Sequence, residues 1–273
     1  RMNGFDSVID NVGVVDNRGV ELSLSTVNVK TKNFTWSTNL NFTTNHNEII
    51  ELSDGKQSDE ANGWFVGESV GAVWTYKHVG YWGMDEIEEA AKYGRKPGQI
   101  KVKDLNQDGS IDATNDRQIV GKVRPDWTAG WNNTFSYKNF DLNIYFYGEA
   151  GRKRGASYYE GWTRMDNGIN VSTYALKAFS SNNLTATDPT YVRGGNGWGD
   201  YYVKSIYYVR CGSITLGYKV PISQKIVNNL RVYVDVNNPF VITNWTGLDP
   251  ETDNGTYAYP NVTSYNFGVS ISF

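Results

Sequence analysis

The chain is short of the residues from which most active sites are made. Its 273 residues include one cysteine and two histidines. Cys211 has no partner for an internal disulfide, and its place in an alternating apolar run marks it as a small packing residue. His46 and His78 lie far apart with no cysteine near either, so neither a zinc-type site nor a histidine-activated nucleophile is built from them. No pair of carboxylates suited to glycoside cleavage stands out. These absences disfavour an enzyme. Charge is scarce too: 20% of the residues are Asp, Glu, Lys or Arg, against ~25% in ordinary soluble domains. The net charge is -3, and the basic residues are dispersed apart from Arg152-Lys153-Arg154, which leaves no broad positive field and no nucleic-acid partner. No apolar run reaches the ~18 to 20 residues of a spanning helix. The first residues, Arg1-Met2-Asn3-Gly4, hold no hydrophobic signal core. With a mean hydropathy of -0.52, hydropathy alone would give a soluble protein.

What the chain has in plenty is aromatic residues, 14% of the total, and strict apolar alternation, the mark of strands with two different faces. Seven segments carry it. Val20, Leu22 and Leu24 form the first, and Phe34, Trp36, Leu40 and Phe42 the second. Trp127, Ala129, Trp131, Phe135 and Tyr137 make the third, followed by Phe140, Leu142, Ile144 and Phe146 in the fourth. The fifth runs from about 203 to 218, with Ile214, Leu216 and Tyr218, and the sixth has Leu230, Val232, Val234 and Val236. The last is the most regular: Tyr265, Phe267, Val269, Ile271 and Phe273.

Connections between these segments alternate short and long. Residues 31–33, 138–139 and 219–229 are short; 45–126, 148–202 and 239–262 are long. In an up-and-down antiparallel array, alternate connections fall at opposite ends, so the short turns gather at one end and the long loops at the other. That asymmetry predicts an all-β chain of transmembrane barrel strands, with short periplasmic turns and long extracellular loops. Ser37, Asn39, Asn41, Asn143, Ser270 and Ser272 are expected to face a hydrated lumen, and the apolar set lipid. Trp127, Tyr137 and Phe140 are expected at the turn end, as an interfacial girdle. Seven strands would leave two unpaired edges in lipid, where unsatisfied backbone groups cost several kcal/mol each. The chain is therefore expected to be the C-terminal piece of a larger barrel, or to be completed by another chain. The competing reading is a secreted, calcium-stabilised, carbohydrate-binding β-sandwich, in which the alternating apolar faces meet in a dry core; a passive porin is the third.

Several segments resemble SusC-like TonB-dependent receptors. Asn17-Arg18-Gly19-Val20-Glu21 resembles a strand start of such barrels. Asp104 to Asp112 with Asn115-Asp116-Arg117 is similar to their acidic loop, and Ile119-Val120-Gly121 through Pro125-Asp126-Trp127 to the entry of the next strand. Tyr208-Val209-Arg210, Ile214 to Tyr218, Pro221, Leu230 to Tyr233, Asn238, Phe240, Thr243 and Gly247-Leu248-Asp249-Pro250-Glu251 resemble the last strands and their loop. Pro239, where the family often has Leu, and an extra residue in the acidic loop are departures. The resemblance implies a barrel of 22 strands around an N-terminal plug, energised by TonB through a segment not in this sequence. It also implies a SusD-like lipoprotein lid and import of oligosaccharides or peptides across the outer membrane of a Gram-negative bacterium.

Three groups of residues are candidates for function. Asp104, Asn106, Asp108, the Ser110 carbonyl and Asp112 follow the first nine positions of an EF-hand-type calcium loop, with Gly109 at the sharp turn. The bidentate acid is displaced by one place, to Asp116, so bound calcium stands beside a turn held by side-chain hydrogen bonds. Tyr158, Tyr159, Trp162 and Trp198, with Trp64, Trp74, Trp82, Tyr201 and Tyr202, could stack on sugar rings or pack the loops. Arg152, Lys153 and Arg154 are read as a solvated loop that could meet an acidic ligand or lipid phosphates. Tyr265, Phe267, Val269, Ile271 and Phe273 look like a terminal assembly signal for the membrane insertion machinery.

Overall fold

The computed structural model describes residues 13–156, 163, 168, 170–186, 188–190, 199–222, 227–252 and 259–273. Seven long strands form one sheet, paired in sequence order: β1 (Gly13–Lys30), β2 (Phe34–Leu52), β3 (Trp127–Tyr137), β4 (Phe140–Gly155), β5 (Val203–Val220), β6 (Asn229–Thr243) and β7 (Ser264–Ser272). Every pairing is antiparallel, so the short turns do share one end. The first long connection folds on small ladders, among them Ala72–Tyr76 with Arg117–Lys122 and His78–Tyr81 with Ile100–Val102, and on a short helix at Ile87–Lys92.

Register separates the two faces. One row across the sheet reads Leu24, Leu40, Trp131, Phe146, Cys211 and Phe240; the next reads Ser25, Asn39, Asn132, Tyr145, Ser213 and Asn237. The apolar rows lie open. Leu24 is 47% exposed, Val269 63% and Phe267 80%. Among the described residues no second sheet covers them, so the dry core that a sandwich requires is not there. Large exposed apolar surface of this extent needs an apolar surrounding. Cys211, on the same face, is fully buried; its cross-strand neighbours Phe146 and Phe240 flank it.

The structure corrects three boundaries and the placement of Trp127. Strands β2, β4 and β6 rise past the ends expected for them, so the long connections shrink to 53–126, 156–202 and 244–263. Arg152, Lys153 and Arg154 are therefore strand residues, not loop. Pro239 also lies inside β6, where register slips between Cys211 and Ser213 and Asn238 takes a φ of 50°. A bulge leaves residues outside the ladder, which is where a strand tolerates a missing N–H. Trp127 belongs to the loop end, opposite Thr44 and Ala150, whereas Tyr137 faces Phe34 and Phe140 at the turn end.

On the polar face, Arg231 of β6 donates to both carboxylate oxygens of Asp141 on β4, at 3.0 and 2.5 Å. It reaches across β5 because residue 217 is glycine; a Cβ there would meet the guanidinium at 2.4 Å. Gly268 serves Tyr233 likewise, since its Cβ would stand 2.2 Å from the ring. Replacing Gly268 with valine is expected to destabilise the sheet by about 1 to 3 kcal/mol through overpacking. Adding Tyr233→Ala should recover most of that loss in the unfolding midpoint; no recovery would refute the steric account.

Candidate functional site

Residues 245–252 and 259–261 of the last long connection fold back over the polar face at the loop end of the wall, and one buried arginine receives them. Arg210 on β5 is 2% exposed. Its Nη2 donates to Asp249 Oδ2 at 2.8 Å, and its Nε lies against the Glu251 carboxylate. Asp249 also accepts the backbone N–H of Glu251 at 2.8 Å and of Asn261 at 3.1 Å. The Tyr147 and Tyr208 hydroxyls donate to Glu251 at 3.1 and 3.3 Å. Between the two acids, the Pro250 carbonyl accepts from Arg152 at 3.1 Å and Arg154 at 2.6 Å. Arg152 also pairs with Glu149 at 2.7 Å. Arg210 and Arg152 thus pair with three carboxylates while Arg154 caps the Pro250 carbonyl between two of them, and such pairing is what makes the burial tolerable.

An apolar cluster beside this network ties the three long connections to the wall. Ile100, Ala156, Tyr202, Ile206, Tyr208 and Trp245 are all buried in it. The second connection is pinned to the first by Asp200, which takes Lys77 Nζ and the backbone N–H of His78, both at 2.6 Å. Toward the turns lies an open cleft of about 290 Å³ lined by Asn41, Thr43, Thr128, Tyr145, Tyr147, Glu149 and Tyr208. Its amides, hydroxyls and ring faces can hydrogen-bond and stack on a polar ligand. It holds no nucleophile paired with a base.

Sequence reasoning did not give Arg210, Glu149, Asp249 or Glu251 a role. A usable signal existed, because a charged residue on a strand destined for a wall must find a countercharge. The aromatic candidates Tyr158, Tyr159, Trp162 and Trp198 lie outside the described residues. Of the others, Trp82 and Tyr202 are buried, Trp74 packs on Phe65 beneath Arg117, and Tyr201 meets His78 edge-on, so these four pack the loops. Tyr265, Phe267, Val269 and Ile271 share one exposed face of the edge strand β7, with Phe273 just beyond its end.

The acidic turn is a separate structure whose carboxylates are engaged by protein donors. Asp116 is fully buried and takes the backbone N–H groups of Leu105 and Asp112, both at 2.8 Å. Asp104 accepts from the N–H of Gln107 at 2.7 Å and of Gly109 at 3.0 Å, and from the Tyr93 hydroxyl at 3.1 Å. Asp108 accepts the Ser110 N–H at 2.8 Å and the Asn106 amide at 2.7 Å. Asp112 takes Thr114 at 2.7 Å and Asn115 at 2.8 Å, and the Asn115 side chain and N–H hold its carboxyl below the usual carboxylate range. Gly109, at φ 82°, makes the left-handed step. Among the described residues, no three acidic, histidine or cysteine side chains are gathered as a metal site would need.

No protein-family model matches the chain. TonB-dependent receptor P3 of Formosa agariphila is 30% identical over 99% of the chain and 30% of the relative. TonB-dependent receptor SusC of Bacteroides thetaiotaomicron is 33% identical over 96% of the chain and 27% of its own length. A solved structure of the RagAB peptide transporter superposes on the whole chain with a TM-score of 0.79 at 24% identity, over 31% of that chain. The chain thus spans about 30% of the length of the curated relatives it matches. These relatives are receptors, not enzymes. Over essentially its whole length, the chain is homologous to a barrel segment of SusC-like TonB-dependent receptors.

Proposed function

We propose that this chain is part of an importer in the outer membrane of a Gram-negative bacterium, one that takes up oligosaccharides or peptides with energy delivered by TonB. The observation that carries this reading is the two-faced wall: seven strands in sequence order, apolar and open on one side, polar on the other, with both edges unpaired among the described residues. In it, the remaining receptor supplies the plug and the other strands, and a SusD-like lipoprotein closes the external end. The loop core and the cleft below it form part of the ligand path, and Tyr265 to Phe273 serve as the assembly signal. The test is deletion of the receptor gene, followed by growth on oligosaccharides and on peptides as sole nutrients. Loss of growth on one class, matched by a strain lacking TonB, supports the reading; unchanged uptake in either strain sinks it.

In this reading the acidic turn stiffens the first external loop through its own donors. Chelating calcium from the purified full-length receptor is expected to leave its thermal midpoint within about 1 °C, since a bound ion would raise it by mass action. A calcium-dependent rise of several degrees would instead assign an ion to Asp104, Asn106, Asp108, Ser110, Asp112 and Asp116.

A further inference from the structure

Gly130 opens a gap in the polar face of the wall. One row across the strands reads Asn41, Gly130, Tyr147 and Arg210; the row toward the loops reads Thr43, Thr128, Glu149 and Tyr208, and the row toward the turns Asn39, Asn132, Tyr145 and Ser213. With no side chain at residue 130, the cleft of about 290 Å³ lies among these rows. The Tyr145 ring leans across the gap instead of standing clear of it. A Cβ on Gly130 would meet its hydroxyl at 3.2 Å, and one on Gly212 of β5 would meet the opposite side of the ring at 2.9 Å. The same Gly212 position lies 3.0 Å from Tyr147, whose ring is inclined to that of Tyr145 by 23°, with centroids 5.6 Å apart. Two glycines thus shape one aromatic border to the cleft, and Tyr145 keeps 38% of its surface exposed.

The polar groups at this gap are neutral or already paired in charge. Asn41 Oδ1 accepts the Ser23 hydroxyl at 2.8 Å, which leaves its NH2 for the cleft. Among the described residues the hydroxyls of Thr43, Thr128 and Tyr145 have no protein partner, whereas those of Tyr147 and Tyr208 donate to Glu251. Glu149, the one charged residue of the lining, pairs through Oε1 with Arg152. An extended peptide is held by backbone pairing at an open strand edge, and β2 to β5 are paired on both sides, so no such edge faces the gap. The set fits a neutral guest with hydroxyls around its rim and an apolar face for an aromatic ring. A pyranose ring has that form. We propose that the gap over Gly130 is a subsite for one sugar ring, stacked on Tyr145 and hydrogen-bonded to Asn41, Thr43, Thr128 and Glu149. The inference rests on the importer reading above and adds to it a sugar contact on the inner wall, apart from the loop aromatics.

The test is native mass spectrometry of the full-length receptor in detergent, with maltoheptaose, laminarihexaose, mannohexaose, xylohexaose and a tryptic digest of casein as probes. Wild type is expected to retain at least one of the oligosaccharides about tenfold or more over the casein peptides. Tyr145→Ala should lower that retention about five- to tenfold by removing the stacking ring. Tyr145→Phe, which keeps the ring and loses one hydroxyl, should stay within about threefold of wild type. Gly130→Leu, which fills the gap, should lower retention at least as far as Tyr145→Ala while the thermal midpoint of the receptor holds. Retention unmoved by Tyr145→Ala and Gly130→Leu, as when the plug fills the cleft, overturns the subsite. Equal losses in Tyr145→Ala and Tyr145→Phe overturn the stacking. Retention of casein peptides alone, or of no probe, overturns this inference and leaves the importer standing; the importer reading falls separately, if deletion of the receptor gene leaves uptake of both classes unchanged.

Discussion

Replacing Arg210 with methionine is expected to cost the folded receptor about 3 to 5 kcal/mol, the usual result of stranding a buried charge by removing its partner. The stranded group is Asp249, whose side chain is 3% exposed, as is that of Arg210. Glu251, at 20%, can turn toward water and should contribute less. Connection 244–263 is then expected to lift from the wall around Asp249, although Arg152 and Arg154 still hold the Pro250 carbonyl and Arg154 lies over the Trp245 ring. Hydrogen exchange at the Glu251 and Asn261 amides, both now donating to Asp249, should report the opening. Adding Asp249→Asn to the arginine variant removes the orphaned charge and should recover more than half of the loss. Exchange that stays protected in the single variant would mean that Trp245 and the apolar cluster hold the connection without the ion pair.

The strands were legible because membrane walls enforce a period of two on sequences that otherwise look polar, and the spacing of the gaps gave their polarity. Their upper ends were not. Past Phe42, Phe146 and Val236 the alternation fades, because strands that rise above lipid no longer need an apolar face, and Asn47 or Arg152 reads as loop. Pro239 misled for a different reason: a bulge hides the missing N–H that would exclude proline from a regular ladder. The ion network was invisible because Arg210 and Asp249 are 39 residues apart, and only folding the sixth strand against the fifth brings them together. The acidic turn was legible as a turn. Which donors fill its carboxylates depends on Asp116 being turned inward, which spacing alone does not specify.

Ile144→Arg, set against its neighbour Asn143→Arg, separates a lipid-facing wall from any fold with a dry core. Ile144 sits in the middle of its apolar row, between Asn133 of β3 and Ile214 of β5; Asn143 lies one residue away on the other face, between Thr134 and Thr215. An arginine on the lipid face near the bilayer midplane costs about 2 to 4 kcal/mol, so the folded fraction of receptor in vesicles should fall sharply for Ile144→Arg. The row holds polar company that moderates the cost: Asn133 accepts from Trp36 Nε1 at 3.1 Å and from Thr38 Oγ1 at 3.0 Å. Asn143→Arg loses a 3.1 Å hydrogen bond to Thr134 but keeps its charge in the hydrated interior, and about 0.5 to 1.5 kcal/mol is expected. The difference should shrink in detergent of short chain length, where an arginine can reach water, and persist in a bilayer. Equal costs in the bilayer would place both faces in the same surroundings, and the two-faced wall on which the proposed function stands would fail with them.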